Sequence, residues 1–207
     1  MIPLEFRDLQ LKKVVNWILT ESSVYFKPSY PWGFPTLLQV EPTNLCNLRC
    51  QVCPVTTGMD RTSGHLDLGL FKNLIKELWR YLFLILFWDW GEPFLNPDAY
   101  KMIRYARSKE IKVMSSTNEH LFSEGSHAHD VVRSGLDVLI FSVDGITQET
   151  YERYRTRSQL AYVLEGIRRV VAEKHRIKSK TPLINLRFIV MKHNEHEIPH
   201  LKELLDH

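Results

Sequence analysis

Residues 37–54 read LLQVEPTNLCNLRCQVCP. A short apolar run, Leu37–Glu41, has the residue types of a buried strand and stops at Pro42. The loop that follows carries Cys46, Cys50 and Cys53, the whole cysteine complement of 3. In parallel α/β folds, ligands gather at the carboxyl ends of strands, where the loops converge. A strand running straight into a cysteine loop therefore predicts both the fold and the place of its chemistry.

The same order recurs outward from this stretch. Candidate strands are Leu37–Glu41, Tyr81–Trp88, Lys112–Ser116, Val138–Val143 and Leu183–Val190. Amphipathic segments follow at Leu68–Trp79, Asp98–Lys109, His127–Ser134, Thr147–Lys174 and Glu195–Asp206, the fourth broken near Arg155–Ser158. Asp98 after Pro97, and Thr147 before Gln148-Glu149, are helix-start signals. Nearly continuous apolar strands alternating with helices imply an α/β fold of about five βα units around a parallel sheet. A partial (βα) barrel and an open doubly wound sheet both fit. Ahead of the first unit lie an amphipathic segment, Phe6–Leu19, and the connector KPSYPWGFP. Residues 1–35 thus read as a helical extension and 36–207 as the core domain.

Composition excludes several classes. The chain has 207 residues, 44% hydrophobic and 25% charged, with a net charge of +3 from 27 basic and 24 acidic side chains. That is an ordinary globular composition and long enough for a core. Lys and Arg are scattered rather than clustered, so no nucleic-acid face is expected. The most apolar stretch, YLFLILFW at 81–88, is under half of the ~20 residues a spanning helix needs. The N-terminal MIPLEFRDLQLKK lacks the apolar run of a secretory leader. No membrane partner is expected, Lys12-Lys13 being too few to argue one, and the location reads as cytoplasmic.

Thiolates at Cys-x3-Cys-x2-Cys spacing can converge on one soft metal centre and leave one coordination position open. An iron–sulfur cluster fits. A zinc site completed by His65, or three incidental thiols, are the alternatives. His193, His196 and His200 recur at helical spacing but sit among Glu and Lys, as on a solvated face, and Trp79, Trp88 and Trp90 read as core.

The cysteine spacing after the first strand, WGEPFLNP at 90–97, STN at 116–118 and FSVDGITQETYERYR at 141–155 together resemble the radical S-adenosylmethionine (SAM) superfamily. WGEPFLNP and the last motif point to the branch of sulfatase-maturating and peptide-modifying (SPASM-type) enzymes. The resemblance implies a 4Fe–4S cluster on Cys46, Cys50 and Cys53. It also implies SAM bound at the free iron and cleaved reductively to a 5′-deoxyadenosyl radical that abstracts hydrogen from a substrate, a peptide being one candidate. An external donor such as flavodoxin or ferredoxin would supply the electron. SAM contacts carried over are Gly91, Glu92 and Pro93 at the amino group, Thr117 and Asn118 along the pocket, and Ser142, Asp144 and Arg155 toward ribose and carboxylate. Arg153 is the second choice for that cation. Trp90, Glu119 and Val52 depart from the usual pattern, Val52 still offering apolar surface near the adenine. Barrels of this family carry one more βα unit than the five read here, so the core reads as truncated, and no substrate acid or base is assigned. A cofactor-binding module without turnover, or a zinc-binding interaction protein, are the competing functions.

Overall fold

A computed structural model describes residues 10–202. Five strands, β1 (Leu37–Gln39), β2 (Leu84–Leu86), β3 (Lys112–Thr117), β4 (Val138–Ser142) and β5 (Leu183–Arg187), form one sheet in the order β1-β2-β3-β4-β5. Every pairing is parallel, with Ile85 opposite Val113, Ser116 opposite Ile140 and Leu139 opposite Ile184. A doubly wound sheet reverses its strand order at a switch point. This sheet advances one strand at a time, which is barrel winding.

Helix α1 (Leu11–Phe26) precedes the sheet, and α2 (Pro54–Thr57), α3 (Leu68–Leu78), α4 (Ala99–Ser108), α5 (His127–Arg133), α6 (Gln148–Tyr154) and α7 (Leu160–Arg176) connect the strands, with short 3₁₀ turns at Pro93–Leu95, His120–Ser123 and Glu195–His200. Asp67 caps α3 by accepting from Leu70 N, and Thr147 caps α6 by accepting from Thr150 N. Asp98 precedes α4 but makes no side-chain cap. The break between α6 and α7 falls at residues 155–159, where Arg155 and the left-handed Arg157 interrupt the helical backbone. The core joins β2, β3 and β4 to the inner faces of α3, α4, α5 and α7 through Ile85, Val113, Leu139, Phe71, Met102, Val131 and Val163. At the amino-terminal ends of the strands, Asp137 accepts from Val113 N and pairs with Arg107 at 3.2 Å and Lys112 at 3.4 Å.

Three expectations are corrected. Four of the five strands are shorter than the apolar runs, β3 alone extending one residue further to Thr117; in β2, Tyr81 and Leu82 close the turn after α3 and Trp88 already belongs to the following loop. The helix expected over 195–206 is a 3₁₀ turn at Glu195–His200 with Pro199 inside it, since proline removes an N–H donor; residues 203–207 lie outside the described residues. The amphipathic segment expected over 6–19 appears as α1, seven residues longer toward its carboxyl end, its first part lying outside the described residues. Among the described residues no helix is long and apolar enough to cross a membrane.

Candidate functional site

The loop after β1 is built to hold its cysteines in place. Asn44 brackets the 62–64 turn, accepting from Gly64 N at 2.8 Å and donating to Thr62 O at 2.9 Å. Thr43 Oγ1 donates to Gly64 O and accepts from Leu45 N, and Leu48 is buried. Gly91 passes so close that a Cβ there would lie 1.9 Å from the carbonyl oxygen of Thr43. Only glycine permits that approach, and it lets Glu92 N donate to Leu45 O at 2.8 Å. The cysteine loop and the loop after β2 are thus clamped together.

All three thiols face one cavity of about 270 Å³ at the carboxyl ends of the strands. Its walls include Val52, Trp88, Trp90, Gly91 and Glu92 from the first two loops. Thr117, Asn118, Ser142 and Arg187 come from the later strand ends, and Arg155 from the end of α6. Of the predicted SAM contacts, Gly91, Glu92, Thr117, Asn118, Ser142 and Arg155 therefore meet at one place. Pro93 and Asp144 do not line it. Pro93 is buried at the start of the 3₁₀ turn, and Asp144 lies beneath Arg155.

Glu92 does not present a free carboxylate. It is 2% exposed, with Oε1 accepting from Thr117 Oγ1 at 2.9 Å and Oε2 from Asn118 N at 2.8 Å. Burial outweighs these donors and pushes its carboxyl up to about 7. Asn118, oriented by that contact, donates through Nδ2 to Asn47 Oδ1 at 2.8 Å and lies 3.6 Å from Cys46 Sγ.

Glu119 takes the left-handed conformation (φ 68°), a backbone region that glycine enters freely and other side chains rarely adopt. Its backbone N–H donates to Thr117 Oγ1, and its Oε1 accepts from Ser142 N, tying β3 to β4. Gly166 lets α7 approach, since a Cβ there would meet Glu119 O at 2.9 Å. Burial raises the Glu119 carboxyl well above the usual range.

Arg155 ends α6 with its guanidinium against Asp144, Nε and an Nη each 2.6 Å from Oδ2, while Asp144 Oδ1 accepts from Ile189 N. Burial works against the guanidinium charge, but Asp144, first among the neighbouring negative groups, holds it firmly protonated. Asn194 and Glu197 latch the 191–200 segment onto this loop. Asn194 donates to Asp144 O, and Glu197 accepts from Ile146 N at 2.9 Å and Thr147 Oγ1 at 3.2 Å.

Trp88 and Trp90, read from sequence as core, are corrected: both line the cavity, and Trp90 is 46% exposed. Sequence reasoning also missed Tyr154, Arg187 and Ile189. The signal for the last two was their place at the end of β5. His193, His196 and His200 stay away from the cavity lining.

The donor set fits an iron–sulfur group. Burial, with Glu92, Cys50 and Cys53 nearby, pushes the Cys46 thiol up to about 11, and burial raises Cys50. Gathered thiols that resist ionisation alone are stabilised as thiolates by a cationic centre. Among the described residues, no three His, Cys, Asp or Glu side chains surround a single-ion position. His65, the fourth ligand of the zinc alternative, instead pairs its backbone with Thr43 and does not line the cavity.

A sequence profile described as the Radical SAM superfamily matches residues 40–205. The tungsten-containing aldehyde ferredoxin oxidoreductase cofactor-modifying protein of Pyrococcus furiosus is 27% identical over 81% of this chain and 47% of its own length. Pre-heme d1 synthase of Dinoroseobacter shibae is 26% identical over 79% of this chain and 39% of its own. SuiB of Streptococcus suis, solved with SAM, shares the fold with a TM-score of 0.63, 16% identity, and coverage of 83% of this chain and 38% of that one. The chain belongs to the radical SAM superfamily, whose members use a 4Fe–4S cluster and SAM, and its fold is the partial (βα) barrel of that family. It spans less than half the length of these curated relatives.

Proposed function

We propose that residues 36–207 form a radical SAM core, with 1–35 as an extension, that holds a 4Fe–4S cluster on Cys46, Cys50 and Cys53. One observation carries this reading: the three thiols and the ends of strands β2 to β5 surround a single cavity. When bound, the cluster and SAM supply reductive cleavage to methionine and a 5′-deoxyadenosyl radical. The chain's own groups position these partners. Gly91 lines the cavity and holds the second loop against Thr43, and the Arg155 guanidinium, fixed by Asp144, suits a carboxylate through a charge-assisted contact. Ser142 and Thr117 offer hydroxyls from adjacent strand ends, and Asn118 offers an amide beside Cys46. Glu92 and Pro93 act by shaping the second loop, and Trp88 and Trp90 screen the cavity from water.

The substrate class proposed is a peptide or protein, supported by the likeness to SuiB, which is also solved with its precursor peptide SuiA. A flavodoxin- or ferredoxin-type protein is the proposed electron donor, and the cytoplasm the proposed location. Anaerobic reconstitution tests the cluster assignment. It should yield about four irons and four sulfides per chain with broad visible absorption, and Cys50→Ala should lose them. Stoichiometric zinc without sulfide would contradict it.

A further inference from the structure

Helix α1 is amphipathic the wrong way round. Its inward face is polar: Lys13 is fully buried and donates to Glu110 O at 2.9 Å. Asn16 clasps the connector from both sides, accepting from Phe34 N at 2.7 Å and donating to Phe34 O at 3.0 Å. Thr20 adds a bond to the same carbonyl, and Ser23 accepts from Trp32 N. The connector lies directly on the helix, for a Cβ at Gly33 would come 2.3 Å from Thr20 Oγ1. These contacts fix the rotation of α1, so it cannot roll to bury its other side.

That other side is apolar and open. Leu11, Val15, Ile18 and Tyr25 follow the i, i+4, i+7, i+14 spacing of one helical face, and Leu11 is 78%, Ile18 53% and Tyr25 80% exposed. Phe26 continues the patch to Trp32, their rings 5.8 Å apart. Side chains of this size, taken at roughly 150–250 Å² each for the aromatics, put the exposed apolar area of α1 and its connector on the order of 1,000 Å². The largest apolar patch on a typical monomer is about 300–600 Å². A stable interface needs about 800 Å² per partner.

We infer that the outer face of α1, with the aromatic connector beside it, pairs with the same face of a second copy of this chain. The area matches one side of a standard interface, and a helical stripe is self-complementary about a two-fold axis. A bilayer fits less well, because interfacial helices turn a basic face to lipid headgroups, whereas the polar face of α1 is spent inside the protein and, among the described residues, its rim carries Lys12, Glu21 and Lys27. Lys13 and Asn16 anchor α1 at Glu110 and Phe34, beside the amino-terminal ends of the strands. The pairing therefore leaves the cysteine cavity open and does not depend on its function.

Sedimentation equilibrium of the 207-residue chain at micromolar concentration decides it. The inference expects about twice the 24.4 kDa chain mass, falling to one chain mass in Val15→Glu and Ile18→Glu with unchanged circular dichroism. Both residues are exposed, so the fold tolerates the charge. A monomeric wild type, open-ended aggregates, or a dimer indifferent to both substitutions would overturn it. So would a monomer that co-sediments with vesicles of phosphatidylcholine and phosphatidylglycerol, which would make lipid the occupant.

Discussion

Asn118 Nδ2 lies 3.6 Å from Cys46 Sγ while the same residue's backbone N–H donates to Glu92 Oε2 at 2.8 Å. The cysteine loop, the loop after β2 and the end of β3 are therefore one hydrogen-bonded unit. Groups that orient metal ligands are typically worth ten- to hundredfold in metal retention. Asn118→Ala removes the amide and leaves the backbone contact. Reconstituted Asn118→Ala should lose iron to a chelator about tenfold faster or more than wild type; an unchanged rate would separate Asn118 from the cluster.

Glu92 gives the apoprotein a pH dependence. Its carboxyl rises to about 7 in the fold, against about 4.3 unfolded, so the folded state binds the extra proton between those values. Its contribution is full below the unfolded value and is lost as pH rises through about 7, a change on the order of 4 kcal/mol. Urea titrations from pH 5 to 8 should show stability falling with pH, and Glu92→Gln should flatten that slope. A wild-type slope of the opposite sign would contradict the burial argument.

Asp144 has no solvent exposure and compensates the buried Arg155. Removing one partner of a buried pair leaves an uncompensated charge, costing about 4 kcal/mol, whereas replacing both is far milder. Asp144→Ala should lower unfolding stability by about that amount, and adding Arg155→Met should recover part of it. A loss below about 1 kcal/mol in the single variant would show that Arg155 finds another counter-charge.

Gly91 is set by space. A methyl group 1.9 Å from Thr43 O cannot be absorbed by a side-chain rotation, because its neighbour is backbone. Gly91→Ala should cost about 3 kcal/mol and spread the loops that bear Cys46 and Glu92. Thermal unfolding checks the cost, and wild-type stability in this variant would refute the clamp.

Much of this was readable in the residues. Parallel pairing follows from apolar runs alternating with helical periods, whereas those runs fit a barrel and a doubly wound sheet alike and so do not give the strand order; the cavity lies where the strand ends predicted, as Thr117, Ser142 and Arg187 show. Strand limits were not readable, because apolar residues such as Leu82 and Trp88 continue past the ladder into buried turns. Nor was the role of Glu92, which depends on donors 25 and 26 residues away at Thr117 and Asn118. The reversal of α1 was also hidden, since periodicity locates an apolar face without saying which face meets the core. Lys13 and Asn16 point inward to partners at Glu110 O and Phe34, which lie far from them in sequence or in the connector.

The central claim is that the cavity at Cys46, Cys50 and Cys53 binds SAM for reductive cleavage. The most direct measurement is chromatographic detection of 5′-deoxyadenosine from anaerobically reconstituted protein given SAM and dithionite. The account predicts 5′-deoxyadenosine and methionine in equal amounts from the wild-type chain and none from Cys50→Ala. A fully loaded wild-type chain that yields none, or a Cys50→Ala chain that yields as much, would contradict it.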